Sequence, residues 1–172
     1  MRSWVVYTCA CVYTHVHVHT ATVVKPKQAV RQLQYMQNAA ARVLTRTRKY
    51  DHISPVLRSL HWIPVAQRID FKTVLLVNKS LHGLAPKYTI DMLEPYKPTQ
   101  TLRTSGRGLL QVPRGRTKQG EAAFKVYAPK IWNSLPEDVR QASTLTMIKS
   151  RLKTVLFSCA YDNWKYFIFA FN

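Results

Sequence analysis

The sequence predicts a mainly α-helical fold: a small helical domain with a basic, glycine-containing loop or short hairpin, and irregular N- and C-terminal ends. Two observations predict it. Apolar residues recur at three- and four-residue spacing over residues 28–47, 65–82 and 145–156, the period of a helix with one buried face. Residues that start and stop helices lie between these runs: Ser54-Pro55, Gly83, Pro86, Pro136 and Ser143-Thr144.

Residues 1–27 stand apart. His15, His17 and His19 alternate with Val16 and Val18, so an extended chain would project three imidazoles from one face, and Cys9 and Cys11 would likewise share a face. A zinc site is a poor fit, because structural zinc pairs are usually two to four residues apart. From Val6 to Thr20 every residue is Val, Tyr, Thr, Cys, Ala or His. Each can be encoded by strictly alternating purines and pyrimidines, and the two codon classes alternate residue by residue. A translated CA/TG repeat explains this, so the segment is expected to be repeat-derived or disordered and to bind no metal. A secretory signal fits badly, since His and Thr dilute the apolar run after Arg2.

The helical subregion spans residues 28–96. In 28–47 the apolar positions are Val30, Leu33, Met36, Ala40, Val43 and Leu44, and Arg42, Arg46, Arg48 and Lys49 crowd the end, where the helix dipole favours cations. Ser54 as N-cap and Pro55 as first helical residue open a short helix carrying Val56, Leu57 and Leu60. Residues 65–82 read as the central core helix. Val65, Ile69, Leu76 and the stems of Lys72 and Lys79 run near one stripe, with Phe71, Val74, Leu75 and Leu81 beside it, and Gly83 stops the helix. Ala85-Pro86 starts another short helix, with Tyr88, Ile90, Met92 and Leu93, closed by Pro95 and Pro98.

Residues 97–130 change character. They hold eight Lys or Arg against Glu121 alone, with Gly106, Gly108, Gly115 and Gly120. They read as a basic loop or hairpin with a short strand at Leu109–Val112. An extended piece over Ala123–Tyr127 and a helix from Glu121 fit equally. Helices return over 131–157: a turn beginning at Pro129 with Ile131, Trp132 and Leu135, then a capped helix with Leu145, Ile148, Leu152, Val155 and Leu156 on one face. Residues 158–172 are an aromatic tail, expected to be loosely attached.

Composition bounds the function. Of 172 residues, 26 are Lys or Arg and 8 are Asp or Glu, a net charge of +18, while 47% are hydrophobic. That apolar share argues against a wholly disordered chain. No apolar run reaches the roughly 18 residues a membrane span needs. Three cysteines do not make a disulfide scaffold and fit a reducing compartment, nucleus or cytoplasm rather than secretion. A charge of +18 calls for an anionic partner, nucleic acid first. Arg42, Arg46, Arg48 and Lys49, with Arg103, Arg107, Arg114, Arg116 and Lys118, are the candidate phosphate-contacting residues. Arginine can fork onto phosphate, and glycines allow close approach.

Catalytic chemistry is harder to place. Nucleotidyl transfer needs clustered carboxylates around divalent metals. Glu137-Asp138 is the only adjacent acidic pair, and it sits at an expected helix start. Asp70, flanked by Arg68 and Lys72, reads as a structural ion-pair partner. His61 and His82 have no nucleophile or second ligand at useful spacing and read as helix-end residues. No phosphate-cradling glycine loop is present, and no cofactor is expected.

Several blocks occur in one order: Gln37-Asn38-Ala39-Ala40 with Arg42, Leu60-His61-Trp62-Ile63-Pro64, Arg68-Ile69-Asp70-Phe71-Lys72, Leu81-His82-Gly83-Leu84-Ala85-Pro86 and Trp132-Asn133-Ser134-Leu135-Pro136. Through them, residues 31–157 resemble the C-terminal region of the reverse transcriptase of LINE-type, non-LTR retrotransposons. The resemblance implies a helical, thumb-like or post-thumb segment that follows the polymerase palm and helps hold template and primer. The complete family protein also carries an endonuclease domain and a polymerase active site, and this sequence has no aromatic-X-Asp-Asp turn. The expectation is a non-catalytic C-terminal fragment that binds RNA or DNA non-specifically. Its rivals are a translated remnant of a decayed mobile element without selected function, and a docking segment for a reverse transcriptase palm domain, marked by exposed apolar stripes on 65–82 and 145–156.

Overall fold

The computed structural model describes residues 27–97 and 108–162, and among these the chain is mainly helical, with eight helices and no strand. The expectations for residues 1–26 and for the tail beyond Asp162 lie outside the described residues.

Helix α1 (Lys27–Thr45) forms where its period predicts. The face it packs is not the one its apolar residues mark. Ala41 is buried, whereas Met36, Val43 and Leu44 are 64%, 79% and 48% exposed. Two of its other inward contacts are polar. Gln34 accepts the Val65 N–H at 2.9 Å, and Gln37 donates to the Ile63 carbonyl at 3.0 Å. Both hold backbone groups beside Pro64, which caps α3 (Val65–Leu81) without a side-chain hydrogen bond. The Val65 N–H is one of the groups a helix start leaves unpaired, and α1 supplies its acceptor.

Helix α2 (Ile53–Ser59) takes His52 as its N-cap, so Ser54 and Pro55 fall within its first turn rather than opening it. That turn is where a missing proline N–H costs least. The helix ends through two backbone bonds, Trp62 N–H to Leu57 O and His61 N–H to Arg58 O, with His61 at φ 54°. The same left-handed ending closes α3 at Gly83 (φ 70°) and α1 at Arg46 (φ 53°).

Helix α3 is the central core helix, as its apolar content predicts, and its buried face is centred on Val74 and Leu75, beside the expected stripe, rather than on the lysine stems. Val74, Leu75 and Val77 are buried, while Lys72 and Lys79 are exposed. The reason is that α3 contacts four helices, α1, α4 (Lys87–Asp91), α6 (Phe124–Ser134) and α8 (Leu145–Tyr161), so one stripe does not describe its burial. Its buried polar groups find local acceptors. Thr73 donates to Ile69 O and Ser80 to Leu76 O.

After α4 the chain runs to an antiparallel bridge between Pro95 and Leu110, where the sequence predicts a strand over Leu109–Val112. Tyr96 N–H reaches Leu109 O at 3.0 Å, and Gln111 N–H reaches Glu94 O at 2.8 Å. On its other edge Leu110 is held by Asn133, which accepts the Leu110 N–H at 2.9 Å and donates to the Leu110 carbonyl at 2.8 Å. Trp132 Nε1 donates to Gly108 O at 2.9 Å. A single asparagine thus takes the place of a neighbouring strand.

A short helix α5 (Lys118–Glu121) precedes α6. Over Phe124–Tyr127 the chain is helical, and only Ala123, its N-cap, is extended. Pro129 lies inside α6 instead of beginning a turn. An internal proline costs about 3 kcal/mol. Phe124, Ile131 and Trp132 are buried on the same helix, each contributing about 1.5–3 kcal/mol, and they outweigh it. Helix α7 (Glu137–Arg140) carries Glu137 and Asp138 in its first turn, as expected of acids at a helix start.

Thr144 caps α8 by accepting the Met147 N–H, and Ile148, Leu152 and Leu156 are buried as predicted. The helix continues to Tyr161, four residues into the expected loose tail. It is held there by contacts far away in sequence. The Tyr161 hydroxyl donates to Trp62 O, Asp162 pairs with Arg58 at 2.7 Å, and His61 stacks on Phe157. The core is built from α3, α6 and α8, with Leu93, Leu110, Leu135, Val139 and Ala142 filling its margins. The apolar stripes of α3 and α8 therefore close on each other.

Candidate nucleic-acid interface

The basic end of α1 has a defined architecture. Arg46 adopts the left-handed conformation, and Thr47 N–H bonds back to Arg42 O at 3.2 Å. Arg42 is spent inside the turn: its guanidinium donates to the carbonyls of Arg48 and Asp51. Asp51 in turn accepts the Arg48 N–H at 3.1 Å. Arg42 therefore builds the turn that displays Arg46, Arg48 and Lys49, all three exposed. Tyr50 follows at 92% exposure. No acidic residue precedes Asp51 in the chain.

Arg114 and Arg116 are exposed on the segment leading into α5, and Lys118 is the first residue of that helix. Gly115 between the two arginines has a structural task. A Cβ there would lie 2.9–3.2 Å from Glu121, including its backbone, so only glycine lets this segment approach. Its role is this close packing, where the sequence predicts that the loop's glycines allow approach to phosphate. Arg103 and Arg107 lie outside the described residues. The α1 turn and the Arg114–Arg116 segment sit on different elements, since α1 packs on α2 and α3 while α5 packs on α6.

Sequence reasoning missed a further basic face. Arg68, Lys72 and Lys79 are all exposed and share one side of α3. Their spacing of four and seven residues was the available signal. The signal is masked because the lysine stems lie along the expected apolar stripe.

The remaining titratable groups are structural. Asp70 is buried and accepts the Tyr127 hydroxyl at 2.6 Å, joining α3 to α6. Burial first, then the Asp70 charge and hydrogen bond, push the Tyr127 phenol well above its ordinary value. Burial likewise raises Cys159 and Tyr161, the latter opposed by Arg68. His82 caps α3, with its Nδ1 2.8 Å from Asn78 O. Both histidines thus stand at helix ends, as the sequence predicts. Among the described residues no three His, Cys, Asp or Glu side chains come together as a metal site, and no helix is long and apolar enough to cross a membrane. A recess of about 480 Å³ between Tyr96–Lys97 and Leu109–Val112 is lined, among the described residues, by no acid, histidine or cysteine.

No family model, curated protein or solved structure matches this chain.

Proposed function

We propose that this chain binds RNA or DNA without sequence preference, through phosphate contacts, as a non-catalytic C-terminal segment of a LINE-type reverse transcriptase. The observation that carries the reading is the turn ending α1. It presents Arg46, Arg48 and Lys49 together, braced from within by Arg42. Rigid display lowers the ordering cost of each phosphate contact. The exposed face of Arg68, Lys72 and Lys79 and the flanking Arg114 and Arg116 supply further cations. The ordered motif blocks support the family, and the overall charge of +18 supports the polyanionic ligand.

The test is a titration of labelled RNA and DNA at two or more salt concentrations. Affinity falls steeply with salt. Arg46→Ala, Arg48→Ala and Lys49→Ala together reduce the logarithmic salt slope by about 2–3 and weaken all sequences alike. A flat salt response removes the reading. Template-directed primer extension with magnesium is expected to be blank, and incorporation above background would overturn the non-catalytic part.

A further inference from the structure

We propose that α1 is a docking rail for an acidic amphipathic helix supplied by another protein. Ala29, Leu33, Met36, Ala40 and Val43 follow one another at steps of four and three residues. That is the spacing of a two-helix seam, and it runs for about 21 Å at 1.5 Å per residue. Among the described residues Ala29, Leu33 and Ala40 are half-buried along this seam, and Met36 and Val43 stand open. Met36 is 64% and Val43 79% exposed, because α1 meets its own core through Gln34, Gln37 and Ala41 instead.

Geometry and charge select the occupant. A helix lying in a lipid surface needs a broad apolar face with free margins. Here one margin is closed by the Ile63–Val65 link through the two glutamine bonds. A second copy of this chain would bring like charge to like charge, since residues 27–50 contain Lys27, Arg31, Arg42, Arg46, Arg48 and Lys49 and no acid. The rail runs into the exposed turn of Arg46, Arg48 and Lys49. A partner helix with leucine-type residues along its seam and glutamates over that turn meets both features. The inference shares the Arg46, Arg48 and Lys49 turn with nucleic-acid binding, and its apolar half, Met36 and Val43, contacts no phosphate, so variants there separate the two.

The probe is a labelled 21-residue helical peptide with Leu at both seam positions of each heptad and Glu beside them, titrated into the full chain by fluorescence anisotropy. A counterpart with Lys in place of Glu is the charge control. The Glu peptide binds saturably and the Lys peptide at least about tenfold more weakly. Met36→Ser with Val43→Ser weakens the Glu peptide by at least about tenfold, with the thermal melt and RNA affinity unchanged. No saturable binding, equal binding of the Lys peptide, or an unchanged affinity of the double variant overturns the proposal. So does a dimer of the chain, or binding to phosphatidylserine vesicles, that the double variant abolishes.

Discussion

Replacing Asn133 by alanine removes both hydrogen bonds that hold Leu110 on its free edge. Leu110 is 3% exposed, so water does not readily take the place of the lost amide. Leaving a buried donor and a buried acceptor unpaired costs about 1–3 kcal/mol each, which gives about 2–4 kcal/mol if some water enters. For a chain of this length each kcal/mol lowers the Tm by about 2–4 °C, so Asn133→Ala should melt about 10 °C lower. Asn133→Asp sharpens the test. A carboxylate still accepts the Leu110 N–H but turns a second oxygen toward the Leu110 carbonyl, while the protonated acid restores a donor. The folded state therefore binds that proton more tightly than the unfolded chain, whose carboxyl titrates near about 3.9. Stability falls as pH rises through the raised folded value, and acid partly rescues this variant alone. Urea unfolding followed by tryptophan fluorescence reads both effects, since Trp132 neighbours the clamp and is 2% exposed. An alanine variant within about 0.5 kcal/mol of wild type, or an aspartate variant without acid rescue, would refute the reasoning.

Two further outcomes follow from the same structure. Arg46→Gly should stabilise by about 0.5–1 kcal/mol, because glycine adopts its φ of 53° without steric cost, and Gly83→Ala should destabilise by a similar amount although no atom lies near its Cβ; matched urea titrations of the two variants decide it. Above pH 10, stability should fall by up to about 1.4 kcal/mol per pH unit as the unfolded chain loses the Tyr127 proton that the fold retains, and Tyr127→Phe should lose that contribution in denaturation curves run at several alkaline pH values.

The sequence is legible where burial is one-sided. Leu145, Ile148, Leu152, Val155 and Leu156 mark the inner face of α8 correctly, because that helix meets the core along one stripe. A cap at Ser143 or Thr144, which the structure gives to Thr144, and the stop at Gly83 are equally readable, since each is a local backbone requirement. Reading fails where the partner is distant. Gln34 and Gln37 give no periodic signal that they face inward, because their acceptor and donor lie on the Ile63–Val65 link. Pro129 looks like a helix start, and only the buried residues before it, Phe124, Val126 and Ala128, extend α6 backwards. The last turn of α8 looks like a tail because Arg58, His61 and Trp62, which hold it, come about a hundred residues earlier. Of the candidate interface, the exposed cations Arg46, Arg48 and Lys49 were legible from charge alone. The inward role of Arg42 was not, since it depends on carbonyls that the turn itself positions.

The placement of α3 also sets a hazard during synthesis. Val74, Leu75 and Val77 leave the ribosome well before α6 and α8, the helices that cover them, and α8 ends about 80 residues after α3 does. At about 5–20 residues per second that interval is about 4–16 s. Through it the nascent chain carries an open greasy flank, a target for chaperone capture. Slowing elongation between codons 82 and 145 should lower the yield of soluble product.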